Sequence, residues 1–210
     1  MSIIETGKIY YHTSYMRIEK VDLSLTKPGS DFGRGFYLTS SKEQAERFVN
    51  AAIRKSRQSL ECGYVISYRL KETAGLALFE FETTNAEWLH CVCAFRSGFG
   101  KAASIWEGYD IIAGKVANDD TNATIMFYLA GAYGEVGSDG AVAAALGWLR
   151  PNVLEDQICL KTQHAVERLE YVDALSDPET SLWTESTVDL AEMIETELRG
   201  ETIDPSRYFK

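Results

Sequence analysis

The chain lacks any apolar run approaching the roughly 20 residues that a membrane-spanning helix needs. Its longest apolar stretches, 108–114 and 141–149, stop well short of that length, so no membrane role is expected. The opening Met1-Ser2-Ile3-Ile4-Glu5 has neither a basic n-region nor an apolar h-region, which argues against a Sec-type signal peptide and for a cytoplasmic protein. Specialised secretion, as for an effector, leaves no such mark. Cysteine is scarce: Cys62, Cys91, Cys93 and Cys159 are too few and too scattered for a disulfide scaffold. Positive charge is also short, with 21 Lys and Arg against 31 Asp and Glu and a net charge of −10. A field of that sign repels phosphate backbones and excludes broad coating of nucleic acid. The deficit is uneven, with residues 1–60 carrying +4, 61–150 carrying −5 and 151–210 carrying −9. The basic first third suits a small anionic ligand.

What remains is an ordinary globular composition, 45% apolar, 11% aromatic and 25% charged over 210 residues. Short β-rich runs are expected at Lys8–His12 and Gly35–Thr39. Ser40 and Ser41 before Lys42-Glu43-Gln44 form an N-cap, and Ala45, Phe48, Val49, Ala52 and Ile53 follow at amphipathic-helix spacing. Arg47, Arg54, Lys55 and Arg57 fall largely off that stripe. Strands are read at Tyr64–Leu70, Leu76–Phe81, Tyr109–Val116, Gln157–Lys161 and Glu170–Ala174. Helices are read from Asn85 to Phe95, at Thr121–Ala132, at Asp139–Leu149 before Pro151, and briefly at Gln163–Arg168. Mixed strands and helices without strict alternation favour α+β. Ser176-Asp177-Pro178 reads as a boundary, giving a domain at 1–175 and an acidic helix and tail at 176–210. Trp183, Thr187, Leu190, Ala191, Ile194 and Leu198 stripe that helix.

The densest unusual stretch is Asp31-Phe32-Gly33-Arg34-Gly35-Phe36-Tyr37-Leu38-Thr39. Its alternate glycines permit close approach to a ligand or a positive φ, and the bland alternative is a turn into a strand. It is neither a Walker loop nor a dinucleotide fingerprint, because no Gly-Lys-Ser/Thr ending and no helix follows. His12, in Tyr10-Tyr11-His12-Thr13-Ser14, is either a strand-end ligand group or a structural histidine. Gln157 opens a late strand and means nothing by itself.

Taken together, His12-Thr13-Ser14, Gly33-Arg34-Gly35-Phe36-Tyr37 and Gln157 resemble the ADP-ribosyltransferase fold. The resemblance is to the H-Y-E branch of diphtheria toxin and the poly(ADP-ribose) polymerases. Within it, the chain looks closest to a bacterial family of unknown function that carries Asp-Phe-Gly-x-Gly-Phe-Tyr-x-Thr and Asn-Gln-Ile-Cys-Phe-x-Thr. Here the later blocks read Tyr109-Asp110-Ile111-Ile112-Ala113-Gly114-Lys115-Val116-Ala117-Asn118-Asp119-Asp120 and Asp156-Gln157-Ile158-Cys159-Leu160-Lys161-Thr162. The resemblance implies a split mixed β-sheet core with flanking helices, NAD+ as co-substrate, and no metal.

It also implies roles. Backbone groups around Thr13 and Ser14 would grip the nicotinamide carboxamide, and His12 would bond the adenosine ribose. Tyr37 would stack on nicotinamide, with Gly35 beside it. A second ring, Phe48, is equally read as core packing or as stacking. Arg34 and Arg17 would meet the pyrophosphate, though both are as readily solvated. Gln157 stands where the branch has glutamate; an amide orients ribose but cannot act as general base. Mono-ADP-ribosylation is therefore expected rather than chain elongation, with Glu155 or Asp156 as the alternative carboxylate. The rivals are an NAD+ glycohydrolase and a catalytically silent NAD-binding module. Family likeness implies a bacterial toxin or effector, an acceptor that is protein rather than nucleic acid, and an antitoxin or immunity partner. Thr13 departs from the usual His-Gly and puts a Cβ near the grip.

Leu89-His90-Cys91-Val92-Cys93 tempts a zinc reading, but cysteines two apart on a helix point to different faces.

Overall fold

Alternating burial along Ile9–Ser14 makes the first strand, β1. The computed structural model describes residues 2–56, 63–96, 105–116, 119–149 and 155–176. A 3-10 turn at Leu23–Leu25 leads to β2 (Phe36–Leu38). Helix α1 (Lys42–Ser56) follows, and Ser41 caps it by accepting from the Gln44 amide at 3.1 Å. Next come β3 (Tyr64–Leu70), β4 (Leu78–Glu80) and α2 (Ala86–Arg96), the last capped by Asn85 on the Trp88 amide at 2.9 Å. Strand β5 (Ile111–Lys115), helices α3 (Asp119–Leu129) and α4 (Asp139–Leu149), β6 (Asp156–Leu160), α5 (Gln163–Val166) and β7 (Leu169–Ser176) complete the order. The expected α+β class holds. The C-terminal stripe from Trp183 to Leu198, with Arg57, Cys62 and Pro151, lies outside the described residues, as do the side chains of Arg54 and Lys55. Among the described residues no helix is long and apolar enough to cross a membrane.

The strands form two sheets. One is antiparallel in the order β1-β3-β7; the other runs β2-β6-β5-β4, with β4 parallel to β5. Alternation sorts their side chains into layers. Tyr10, Ile66, Tyr68 and Leu70 of the first sheet pack on Phe36, Leu38, Ile111, Ile158 and Leu160 of the second. The second sheet's other face turns Ile112 and Cys159 towards Trp88, Leu89 and Val92 of α2, Ile125 and Tyr128 of α3, and Ala145 of α4. Helix α1 covers the outer face of the first sheet through Ala45, Val49 and Ile53 on Val65.

Helix α2 is enclosed nearly all round, so Cys91 and Cys93 are both buried although they leave the helix in different directions. Burial pushes the Cys93 thiol up to about 12 and the Cys91 thiol up as well, which makes both poor nucleophiles and ligands. Among the described residues no group of three or more His, Cys, Asp or Glu side chains could hold a metal ion.

The two glycines before β2 are closely packed against neighbouring chain. Gly33 has φ +84° and faces the Phe95 ring, where a Cβ would stand 2.6 Å from a ring carbon. Gly35 lies against β6, where a Cβ would meet the Cys159 sulfur and come within 2.7 Å of the Leu160 carbonyl oxygen. A backbone oxygen in a sheet cannot move aside. Gly35→Ala should therefore destabilise the fold by about 2–3 kcal/mol, read as a lower urea midpoint with unchanged m-value.

Candidate functional site

Among the described residues the two sheets are joined at β1 and β2 by a single bridge, in which Tyr11 and Thr39 exchange backbone bonds of 2.8 and 2.9 Å. One step further, Thr13 would pair with Tyr37. Instead, His12 Nδ1 lies 2.8 Å from the Tyr37 carbonyl oxygen and takes the place of a backbone donor. The strands part there and open a cleft of about 780 Å³.

Parity decides what faces this opening. Leu70 donates to the Lys8 carbonyl, so even-numbered residues of β1 bond to β3 and odd-numbered ones point the other way. Tyr11 uses its outward groups on Thr39. The Thr13 N–H and C=O point the same way, into the cleft, and have no partner among the described residues. The Thr13 side chain does not crowd this opening, because its hydroxyl donates to the Ala45 carbonyl of α1 at 2.6 Å.

His12 is a fixed tautomer. A carbonyl only accepts, so Nδ1 carries the proton and Nε2 carries the lone pair. Burial pushes the imidazole down from 6.5 to about 4, and the ring lies against Phe36 with centroids 4.3 Å apart. Tyr37 is fixed at its far end: its hydroxyl accepts from the Phe32 amide at 3.0 Å and donates to the Gly33 carbonyl at 2.7 Å. Burial drives that phenol's pKa upwards, so it stays protonated.

Opposite stands Gln157, 8% exposed. Its amide nitrogen donates to Asp31 Oδ2 at 2.6 Å and to the Lys115 carbonyl at 3.2 Å. Asp31 is itself held through Oδ1 by Arg96 at 2.5 Å, and Arg96 reaches Asn122 at 3.1 Å. Asp31, Arg96 and Asn122 all border the cleft and carry no signal in the motifs beyond the first residue of Asp31-Phe32-Gly33.

The cleft gathers His12, Thr13, Tyr37, Phe48 and Gln157 from the expected set, and leaves out Ser14, Arg34 and Gly35. Ser14 is buried and its hydroxyl accepts from the Met16 amide at 3.2 Å, closing a turn. Arg34 donates to the Ser24 carbonyl at 2.6 Å and so braces the 3-10 turn. Arg17 pairs with Glu19 at 3.1 Å, away from the site. Glu155 is ion-paired with Arg47, and Asp156 with Lys115 at 2.7 Å; neither lines the cleft. Phe48 is 46% exposed, so the core-packing alternative fails. Its neighbours on the stripe rest on the first sheet, but β1 is that sheet's edge strand, and the flank of α1 carrying Phe48 and Ala52 overhangs the opening.

The His12 shift has a sign. The unfolded imidazole binds its proton near 6.5 and the folded one only near 4, so unfolding takes up a proton between these values. Stability should fall as pH drops through this window. Nitrogen-detected titration should show the Nδ1–H tautomer persisting to about pH 4; a midpoint near 6.5 would contradict the burial.

No curated protein and no solved structure matches the chain. A family model described as "Protein of unknown function (DUF3990)" matches residues 8–171. That span includes every residue lining the cleft. By the extent of this match the chain belongs to the DUF3990 family of proteins of unknown function.

Proposed function

We propose that the cleft binds NAD+ and that the protein is a mono-ADP-ribosyltransferase acting on a macromolecule. The observation that carries this reading is the pair of cleft-facing Thr13 backbone groups beside the Tyr37 ring. A carboxamide has one donor edge and one acceptor edge, and an N–H and C=O on the same strand residue suit both. The Tyr37 ring, held at its hydroxyl, offers a plane for the nicotinamide. His12 Nε2 and the Gln157 carbonyl oxygen are acceptors suited to ribose hydroxyls. The split between two sheets is in keeping with an ADP-ribosyltransferase fold of the H-Y-E branch.

In this reading the C1′–N bond breaks with its electron pair leaving on nicotinamide, and the ribose carbon becomes oxocarbenium-like. An acceptor heteroatom forms the new bond to C1′ and releases its proton to solvent. The protein's share is positioning and exclusion of water. The acceptor is a protein, since a net charge of −10 opposes the approach of nucleic acid. The fold needs no metal for these steps.

One observation favours a second reading, a silent NAD+-binding module. Gln157 is uncharged, and Asp31, the carboxylate lining the cleft among the described residues, is ion-paired with Arg96.

The test is purified protein with NAD+ labelled on the adenylate, with and without cell lysate, following nicotinamide release and labelled macromolecules. Transfer predicts both signals, with the label lost on protease treatment. Nicotinamide release alone would mean a glycohydrolase, and binding without release the silent module. Thr13→Pro isolates the backbone grip, because it deletes an N–H that the β1–β3 ladder does not use. It should weaken NAD+ binding about tenfold, whereas Thr13→Val, which keeps the N–H, should bind nearly as wild type by calorimetry.

A further inference from the structure

The amide of Gln157 has only one workable orientation. Its nitrogen lies 2.6 Å from Asp31 Oδ2 and 3.2 Å from the Lys115 carbonyl oxygen, two groups that can only accept. Reversing the amide would set its own oxygen 2.6 Å from a carboxylate oxygen and 3.2 Å from a carbonyl oxygen, acceptor against acceptor in a buried place. The Gln157 carbonyl oxygen is therefore the end directed to the cleft that Gln157 lines. Asp31 is in turn held by Arg96 at 2.5 Å, on a helix of the opposite layer, so the carboxylate itself cannot swing away. The result is a row in which Arg96 bonds Asp31, Asp31 bonds the Gln157 amide, and the Gln157 side-chain carbonyl, with no partner among the described residues, is left for a ligand. Each bond in such a row polarises the next, so the buried carboxylate makes the exposed oxygen a stronger acceptor.

From this geometry we infer that Asp31 is the positioning residue of the site, fixing Gln157 as an obligate hydrogen-bond acceptor for a ligand hydroxyl. The inference rests on the NAD+ reading for the identity of that hydroxyl, the nicotinamide ribose 2′-OH. The amide and the carboxylate divide between them what a single glutamate would do: the amide touches the sugar and the carboxylate supplies the charge behind it. It follows that Gln157→Glu does not improve the site. It sets two carboxylates 2.6 Å apart, in the place of a donor and an acceptor.

The experiment is a double-mutant cycle of Asp31→Asn, Gln157→Glu and both together, read by NAD+ affinity and by Tm. Gln157→Glu alone should weaken NAD+ binding about tenfold and lower Tm. In the double variant amide and carboxylate have traded places, and affinity should return to within about threefold of wild type. A merely structural role for Asp31 predicts losses that add, and additive losses would overturn the inference. Should a single variant not fold, the wild-type spectrum still decides. The two Gln157 side-chain amide protons should exchange slowly in the free protein, and fast exchange would refute the fixed orientation. If wild type binds no NAD+, the proposed function fails alone, because the Tm cycle and the amide exchange still report the Asp31–Gln157 coupling.

Discussion

The hydrogen bond from His12 Nδ1 to the Tyr37 carbonyl is the constraint on which the rest of the site depends. Two antiparallel strands that begin to pair at Tyr11 and Thr39 would ordinarily continue, and each further pair would close the gap between the sheets. A side chain intercepts the next acceptor. The strands then diverge without leaving the Tyr37 carbonyl unsatisfied, which in a buried seam would cost on the order of 1–3 kcal/mol. Divergence is what leaves the Thr13 backbone groups facing open space. The same bond fixes the tautomer of the histidine, so the feature that opens the cleft also sets the chemistry of its wall.

The second sheet supplies the other wall by a different device. Asp31 and Arg96 bring opposite charges into a poorly solvated place, where either alone would be strongly destabilising. They are tolerated as a pair because Gln157 and Asn122 take up further hydrogen bonds. Four separate parts of the chain, the loop before β2, the end of α2, the start of α3 and strand β6, meet at this network. It ties the layer of helices to the sheet edge at the cleft. Lys161 makes a parallel link close by, donating to the Phe32 carbonyl at 2.8 Å with its ammonium 4.2 Å from the centre of the Phe95 ring. Burial pushes that amine's pKa down, the expected cost of a cation lodged among apolar neighbours.

Charge counted along the sequence is a poor guide to charge in the cleft. The first third carries an excess of +4, but Arg17 and Arg34 are engaged in local ion pairs and turns. The walls present mostly neutral groups whose donors and acceptors are directional. Such a surface selects a ligand by the placement of its hydroxyls and amides more than by its total charge.

The local pattern of the sequence was enough to locate the elements. Strand β3 and helix α4 fall where alternation and the Pro151 stop put them, and the Ser41 and Asn85 caps hold the helices expected of them. These features depend on residues within a few positions of one another, so a single sequence contains them. The motif order also singled out His12, Thr13, Tyr37 and Gln157 before any of them could be seen in one cleft. The residues that the cleft leaves out share one cause. Ser14, Arg34 and Gly35 sit beside site residues in the chain, but strand alternation and tight turns point them elsewhere. Phe48 reads equally as core or as stacking until β1 is known to be an edge strand, and Asp31 has no meaning until Gln157, 126 positions away, is laid against it. What the sequence by itself determined was the list of elements and most of the site's side chains, because those follow from short-range periodicity and motif. Which of them face the cleft was decided only by the tertiary structure, because that depends on where two sheets stop pairing.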